Sequence, residues 1–125
     1  MTNQSPVIWF EETGRQDVAR VGGKNASLGE MVGQLGAKGV KVPPGFATTA
    51  EAYWHYVEAN DLGRQIKAAL ADLEAGKAGL AETGALIRRA FLRGEWPRDE
   101  AEAIAGAYRE LCRRSDREDA DVAVR

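Results

Sequence analysis

The sequence predicts a helix-rich α/β chain built from short strands and about five helices. Three observations carry that prediction. Apolar residues recur at i, i+3, i+4 and i+7 in successive segments, as in Leu28, Met31, Val32 and Leu35. The β-branched and aromatic runs are short, Val7-Ile8-Trp9-Phe10 being the clearest. Glycine and proline punctuate the chain between these segments, at Gly36 and Gly39, Pro43-Pro44-Gly45, Gly76 and Gly94 through Pro97.

Each element follows in order. Val7 to Phe10 reads as a strand, closed by the turn Glu11-Glu12-Thr13-Gly14. Val21-Gly22-Gly23-Lys24-Asn25 reads as a flexible loop feeding the helix whose inward face is Leu28, Met31, Val32 and Leu35, with Gly36 and Gly39 as its stop. Val40-Lys41-Val42 is a candidate extended segment, and Pro43-Pro44-Gly45 a rigid turn aiming the strand that carries Phe46. Thr48 or Thr49 suits the N-cap of a helix from Ala50 to Ala59, which Asn60 closes; Thr48 with Glu51 has capping-box spacing, while Thr49 faces Ala52. The next helix carries Ile66, Leu70 and Leu73, and the one after it Leu80, Ile87 and Phe91. Pro97 fits the first turn of a last helix with Ile104, Tyr108, Leu111 and Cys112 inward. Val122 and Val124 then open a strand.

Composition removes several function classes. With 125 residues and 44% hydrophobic residues, the chain has apolar surface for one modest core. The 17 basic residues are balanced by 19 acidic ones, so a net charge of −2 gives no electrostatic footprint for nucleic acid or an anionic membrane. Any cationic site is local. Cys112 is the single cysteine, which excludes an intramolecular disulfide and a Cys-rich metal site, and its place on an apolar stripe reads as a small buried hydrophobe. No stretch approaches the ~20 apolar residues of a membrane span, and a cytoplasmic protein is the default. Met1 to Ser5 reads as a flexible start, and the strand cut short after Val124 as a sign that more chain follows.

The residues with a chemical task cluster between Val21 and Thr49. Gly22 and Gly23 lack a Cβ, so their backbone can approach an anion closely. The helix mouth beyond them offers unpaired N–H groups and partial positive charge, Lys24 adds a full charge on a flexible stem, and Asn25 or Ser27 could cap. The spacing is not that of a Walker loop, and Gly-Gly before a helix is also a common turn with its lysine in water. The spacing therefore leaves both readings open.

Taken together, Val21-Gly22-Gly23-Lys24-Asn25-Ala26-Ser27-Leu28-Gly29-Glu30-Met31 and Val42-Pro43-Pro44-Gly45-Phe46-Ala47-Thr48-Thr49-Ala50 resemble the amino-terminal ATP-binding domain of the phosphoenolpyruvate synthase (pyruvate, water dikinase) family. Relatives of that family include pyruvate phosphate dikinase and the rifamycin phosphotransferases. The opening Val7-Ile8-Trp9-Phe10 and the closing Val122-Ala123-Val124-Arg125 share the resemblance, which spans residues 1–125, whereas the helical stretch from Tyr53 to Arg114 is generic. The resemblance implies the first part of an ATP-grasp-like nucleotide-binding domain. It implies that Lys24 and Arg125 contact the ATP phosphates, with Gly22, Gly23 and Asn25 completing the cradle; a guanidinium suits the task because its fork can donate two bonds to one phosphate. It also implies a serine-rich segment, magnesium-binding carboxylates, a phosphohistidine domain and a pyruvate-binding barrel, none of which this stretch contains. The stretch would thus bind part of ATP, weakly, and not catalyse alone.

Other residues read as scaffold. His55 does not match the phosphohistidine context, Tyr53, Trp54 and Tyr56 read as helix packing rather than adenine stacking, and Arg113, Arg114 and Arg117 among acids read as a solvated face. The whole enzyme implied by the resemblance converts ATP, pyruvate and water to phosphoenolpyruvate, AMP and phosphate through a phosphohistidine, in gluconeogenic pyruvate metabolism. Alternatives are a sibling phosphotransferase with another acceptor, or a truncated interaction module prone to self-association through uncovered apolar surface.

Overall fold

The computed structural model describes residues 5–125, so the reading of Met1 to Gln4 as a flexible start lies outside the described residues. The architecture is helix-rich with a two-stranded sheet: β1 (Val7–Trp9), α1 (Val18–Val21), α2 (Gly23–Gly36), β2 (Phe46–Thr48), α3 (Ala50–Ala59), α4 (Leu62–Glu74), α5 (Leu80–Arg93) and α6 (Arg98–Arg114). Two 3₁₀ turns, Phe10–Glu12 and Arg15–Asp17, link β1 to α1. The chain divides into two compact units, residues 1–52 with 98–125, and residues 53–97.

In the first unit β1 and β2 pair antiparallel, Val7 opposite Thr48, Ile8 opposite Ala47 and Trp9 opposite Phe46. The Trp9 and Phe46 rings meet at 5.4 Å between centroids, a cross-strand aromatic pair of the kind that fixes register. Phe10 N–H donates to the Gly45 carbonyl (3.1 Å) and Thr49 N–H to that of Pro6 (3.0 Å), extending the contact at both ends. A Cβ at Gly45 would strike the Phe10 ring, so glycine is required after the two prolines. The expected strand at Val40 to Val42 does not pair. The Val40 N–H is committed to the Leu35 carbonyl at the end of α2 (3.0 Å), and Pro43 and Pro44 have no N–H to give a ladder.

Two expectations for α2 change. The helix begins at Gly23, so the predicted loop is its first turn. Its buried residues are Ala26 and Gly29, while Met31 is exposed. A Cβ at Gly29 would overlap the Thr13 carbonyl, and this close approach is what small residues permit. Ala26 joins Ile8, Val21 and Ala47 in the core of this unit, with Phe10 packed against it. Apolar periodicity misses such a face because its inward residues carry little hydrophobic surface. Leu111 and Cys112 of α6 are buried as expected, and Tyr108 is half-buried. Thr49, not Thr48, caps α3: its Oγ1 accepts from the Ala52 N–H at 3.1 Å.

In the second unit, Tyr56, Val57 and Leu62 form a core against which Ile66, Ala90 and Phe91 pack. Leu62 is 1% exposed. The expected inward positions Leu70 and Leu80 are exposed instead, and Ala69 and Thr83 take the buried places. Asn60 ends α3 as predicted, its Nδ2 donating to the Tyr56 and Glu95 carbonyls (both 2.9 Å) and its Oδ1 accepting from Glu95 N–H (2.7 Å). The rings of Trp54, Tyr53, Phe91, Tyr56 and Trp96 contact one another in succession, but only Tyr56 of the three expected packing residues is buried, while Tyr53 and Trp54 are exposed. His55 lies exposed on α3.

Candidate functional site

The site is built on the junction of α1 and α2. Val18 to Val21 makes one helical turn, and the Gly22 N–H closes it on the Val18 carbonyl at 2.8 Å. Gly22 then takes φ 82°, ψ 163°, a conformation that side chains other than glycine's rarely accept. This bend breaks one helix and starts the next within a single residue. The Ala26 N–H reaches back to the Gly22 carbonyl (3.0 Å), so the N–H groups of Gly23, Lys24 and Asn25 are left without a partner among the described residues. No side chain caps them; the expected capping by Asn25 or Ser27 does not occur. Asn25 instead donates its Nδ2 to the Val21 carbonyl at 2.8 Å, clasping α1 to α2 across the bend.

Three free N–H groups at the mouth of a 14-residue helix attract an anion through their own dipoles and through the aligned peptide dipoles behind them. Lys24 and both glycines are exposed, and Lys24 forms no ion pair among the described residues. An ammonium with no internal partner is available to an incoming charge. Two concavities, of about 360 and 500 Å³, are lined by other residues, including Gln65 and Arg89 in one and Val32 and Pro43 in the other. Gly22 to Lys24 are exposed and Asn25 is half-buried, so the turn faces solvent.

Supporting side chains hold the turn. Asp17, buried, accepts from the Gly14 N–H at 3.0 Å, and Arg20 lies 3.5 Å from its other oxygen. Glu30 accepts from the Arg15 N–H at 2.9 Å and from Gln34 at 3.0 Å, so it fixes the 3₁₀ turn before α1 onto α2. Sequence reasoning assigned none of these roles: the Asp17 and Gln34 bonds are local, with three- and four-residue spacings that could have signalled them, and only Arg15–Glu30 depends on the fold bringing distant residues together.

Arg125 lies in the same compact unit and is exposed. The strand expected at Val122 and Val124 is not formed: residues 120–125 have no regular structure and both valines are exposed. Residues 122–125 pair with neither β1 nor β2, the two strands among the described residues. Arg113, Arg114 and Arg117 are exposed, as expected, but Arg114 is also committed to partners. Its guanidinium sits 3.9 Å over the Trp9 ring, 2.6 Å from a Glu11 oxygen and 3.2 Å from one of Glu110, pinning α6 to β1 and the first 3₁₀ turn. Arg113 forks onto both Glu110 oxygens (2.8 and 2.6 Å), and Arg113 first, then Arg114, holds that carboxyl down at about 2.

A helix mouth with unpaired N–H groups, glycines at the bend and a lysine without an ion pair among the described residues has the geometry in which helix N-termini take up anions, which makes it the candidate site. The family described as pyruvate phosphate dikinase, AMP/ATP-binding domain, matches residues 18–125, and the chain belongs to that family. It is 45% identical over 124 residues to a phosphoenolpyruvate synthase of Synechocystis, 48% over 120 residues to one of Neisseria meningitidis, and 40% over 120 residues to one of Escherichia coli. Each match covers 95% of this chain and 15% of the relative, so the chain spans about 15% of the length of these curated relatives. Among the described residues no helix is long and apolar enough to cross a membrane.

Proposed function

We propose that this chain is the ATP-binding portion of a phosphoenolpyruvate synthase-like dikinase, gripping the triphosphate at the Gly22–Asn25 turn. The observation that carries the reading is the set of free N–H groups at Gly23, Lys24 and Asn25, beside an unpaired lysine, within a family whose description is nucleotide binding. Gly22 supplies the bend, Gly23 the bare backbone, and Lys24 the charge. Asn25 contributes its backbone N–H, its side chain being committed to Val21. Arg125 would add a planar fork to the same phosphates. These groups neutralise and orient charge, which is the larger part of what phosphoryl transfer needs from a protein.

The relatives named above are phosphoenolpyruvate synthases, which supports phosphoenolpyruvate as a product of the whole enzyme; pyruvate as acceptor, AMP and phosphate as the other products, and a cytoplasmic, gluconeogenic setting are part of the proposal. Magnesium would ride on the triphosphate oxygens. Among the described residues no three His, Cys, Asp or Glu side chains gather to hold it, so no role for this chain's residues is assigned toward the ion. The ATP-grasp arrangement of the complete domain, and self-association of this stretch, belong to the same proposal.

The test is an NMR titration of the chain with ATP. Weak binding is expected, with the largest shifts at the amides of Gly23, Lys24 and Asn25, and with those shifts lost in Lys24→Gln. Shifts confined to other parts of the chain, or none at millimolar ATP, would overturn the assignment.

A further inference from the structure

We infer that Tyr108 is a positioning residue for Arg125, tying the segment that leads to this arginine onto α6. The inference rests on the phosphate-binding role proposed for Lys24 and Arg125. After Arg114, α6 is closed by backbone bonds from Ser115, Asp116 and Arg117 to the carbonyls of Leu111, Arg113 and Cys112. Asp116 takes φ 52° and turns the chain back. The Tyr108 hydroxyl then lies 2.9 Å from Asp119 Oδ1 and 2.8 Å from the Ala120 carbonyl, sharing its one proton between two acceptors.

Two independent features meet at this point. Ala120 is the one buried position between Arg113 and Arg125, and the Tyr108 hydroxyl is the only polar tie that residues 118–125 make to the rest of the described chain. Arg125 follows five residues later. The helix that carries Tyr108 is itself fixed to the first 3₁₀ turn by Arg114 on Trp9 and Glu11. The Gly29–Thr13 contact at the end of that turn seats α2, which carries Lys24. Both cations are therefore built outward from one platform, Trp9 to Thr13, Lys24 through α2 and Arg125 through α6 and Tyr108. An arginine on a tethered segment loses less freedom when it meets an anion than one on a loose end.

Inorganic triphosphate is the probe, titrated into the full chain while the Lys24 amide, the Arg125 side-chain Nε–H and backbone relaxation are followed by NMR. In Tyr108→Phe the α6 amides stay in place, residues 119–125 lose order, and the Arg125 response weakens by about five-fold, the equivalent of one hydrogen bond. The Lys24 response is retained. Asp119→Asn, whose amide oxygen accepts the same bond, keeps the Arg125 response. Should Tyr108→Phe fail to fold, Asp119→Ala removes one acceptor from an exposed position and gives a smaller loss in the same direction. Unchanged order and response at Arg125 in these variants would overturn the inference alone, as would an equal loss at Lys24 and Arg125. No response at either residue in the unaltered chain would remove the phosphate reading, and this inference with it.

Discussion

The two compact units of this chain are held together in different ways. Residues 53–97 depend on ordinary side-chain burial: Leu62 is sealed, Tyr56 and Val57 surround it, and rings from α3 and α5 stack along one another. The unit of residues 5–52 and 98–125 has a core of smaller residues, Ile8, Val21, Ala26 and Ala47, and leans more on close backbone approach. Gly29 lies on the Thr13 backbone, Gly45 on the Phe10 ring, Asn25 on the Val21 carbonyl and Arg114 on Trp9. The difference teaches where the sequence is constrained. A unit built from amphipathic helices tolerates many sequences, whereas close backbone approach, as at Gly29 and Gly45, needs particular small residues.

The largest effect that sharpens this comparison is Leu62→Ala. Removing the sealed side chain should cost about 2–5 kcal/mol, seen as lost hydrogen-exchange protection in α4 and α5. If protection there is unchanged, burial is not what holds that unit. Gly29→Ala should cost about 1–3 kcal/mol by forcing α2 off Thr13, measured by denaturant unfolding followed at Trp9. A neutral result would break the claim that close approach organises the first unit.

Gly22→Ala is expected to cost about 1–2 kcal/mol from its positive φ alone, because a Cβ there meets no neighbour. It should also weaken ATP-induced shifts at Gly23 to Asn25. Stability lost without any change in those shifts would separate the bend from the site. Thr49→Ala should cost about 1 kcal/mol through loss of the α3 cap, while Thr48→Ala should be near neutral; the reverse order would restore the Thr48–Glu51 box read from sequence.

The smallest effect is electrostatic. Glu110 has a folded pKa of about 2 against an ordinary 4.5, so its pairing supports the end of α6 fully above the ordinary value and is lost as pH falls through about 2. Carboxyl NMR should find it titrating near 2, and Arg113→Gln should move it back up. Titration at the ordinary value in the intact chain would show that the fork is not populated.

Much of the fold was legible in the residues. The ends of α3, the stop of α2 near Gly36, the break at Gly94 to Pro97 and the inward Leu111 and Cys112 follow from turn chemistry and spacing. Gly22 to Asn25 stood out as a candidate turn, although glycine pairs before a helix are also common turns, and the resemblance rather than the spacing chose between the two readings. The start of α2 was not legible, since Ala26 and Gly29 carry too little apolar surface to register as a stripe. Arg114 was not either, for its acidic neighbours in sequence mask an aromatic partner more than a hundred residues away.

The sequence alone determined most of the helical content and the family, and singled out Gly22 to Asn25 as the candidate turn, because propensity, glycine geometry and charge are local properties. Only the tertiary structure decided which donors remain free. Whether a cationic side chain is spent depends on what the fold carries to it: Arg114 is taken up by Trp9, Glu11 and Glu110, while Lys24 is left open.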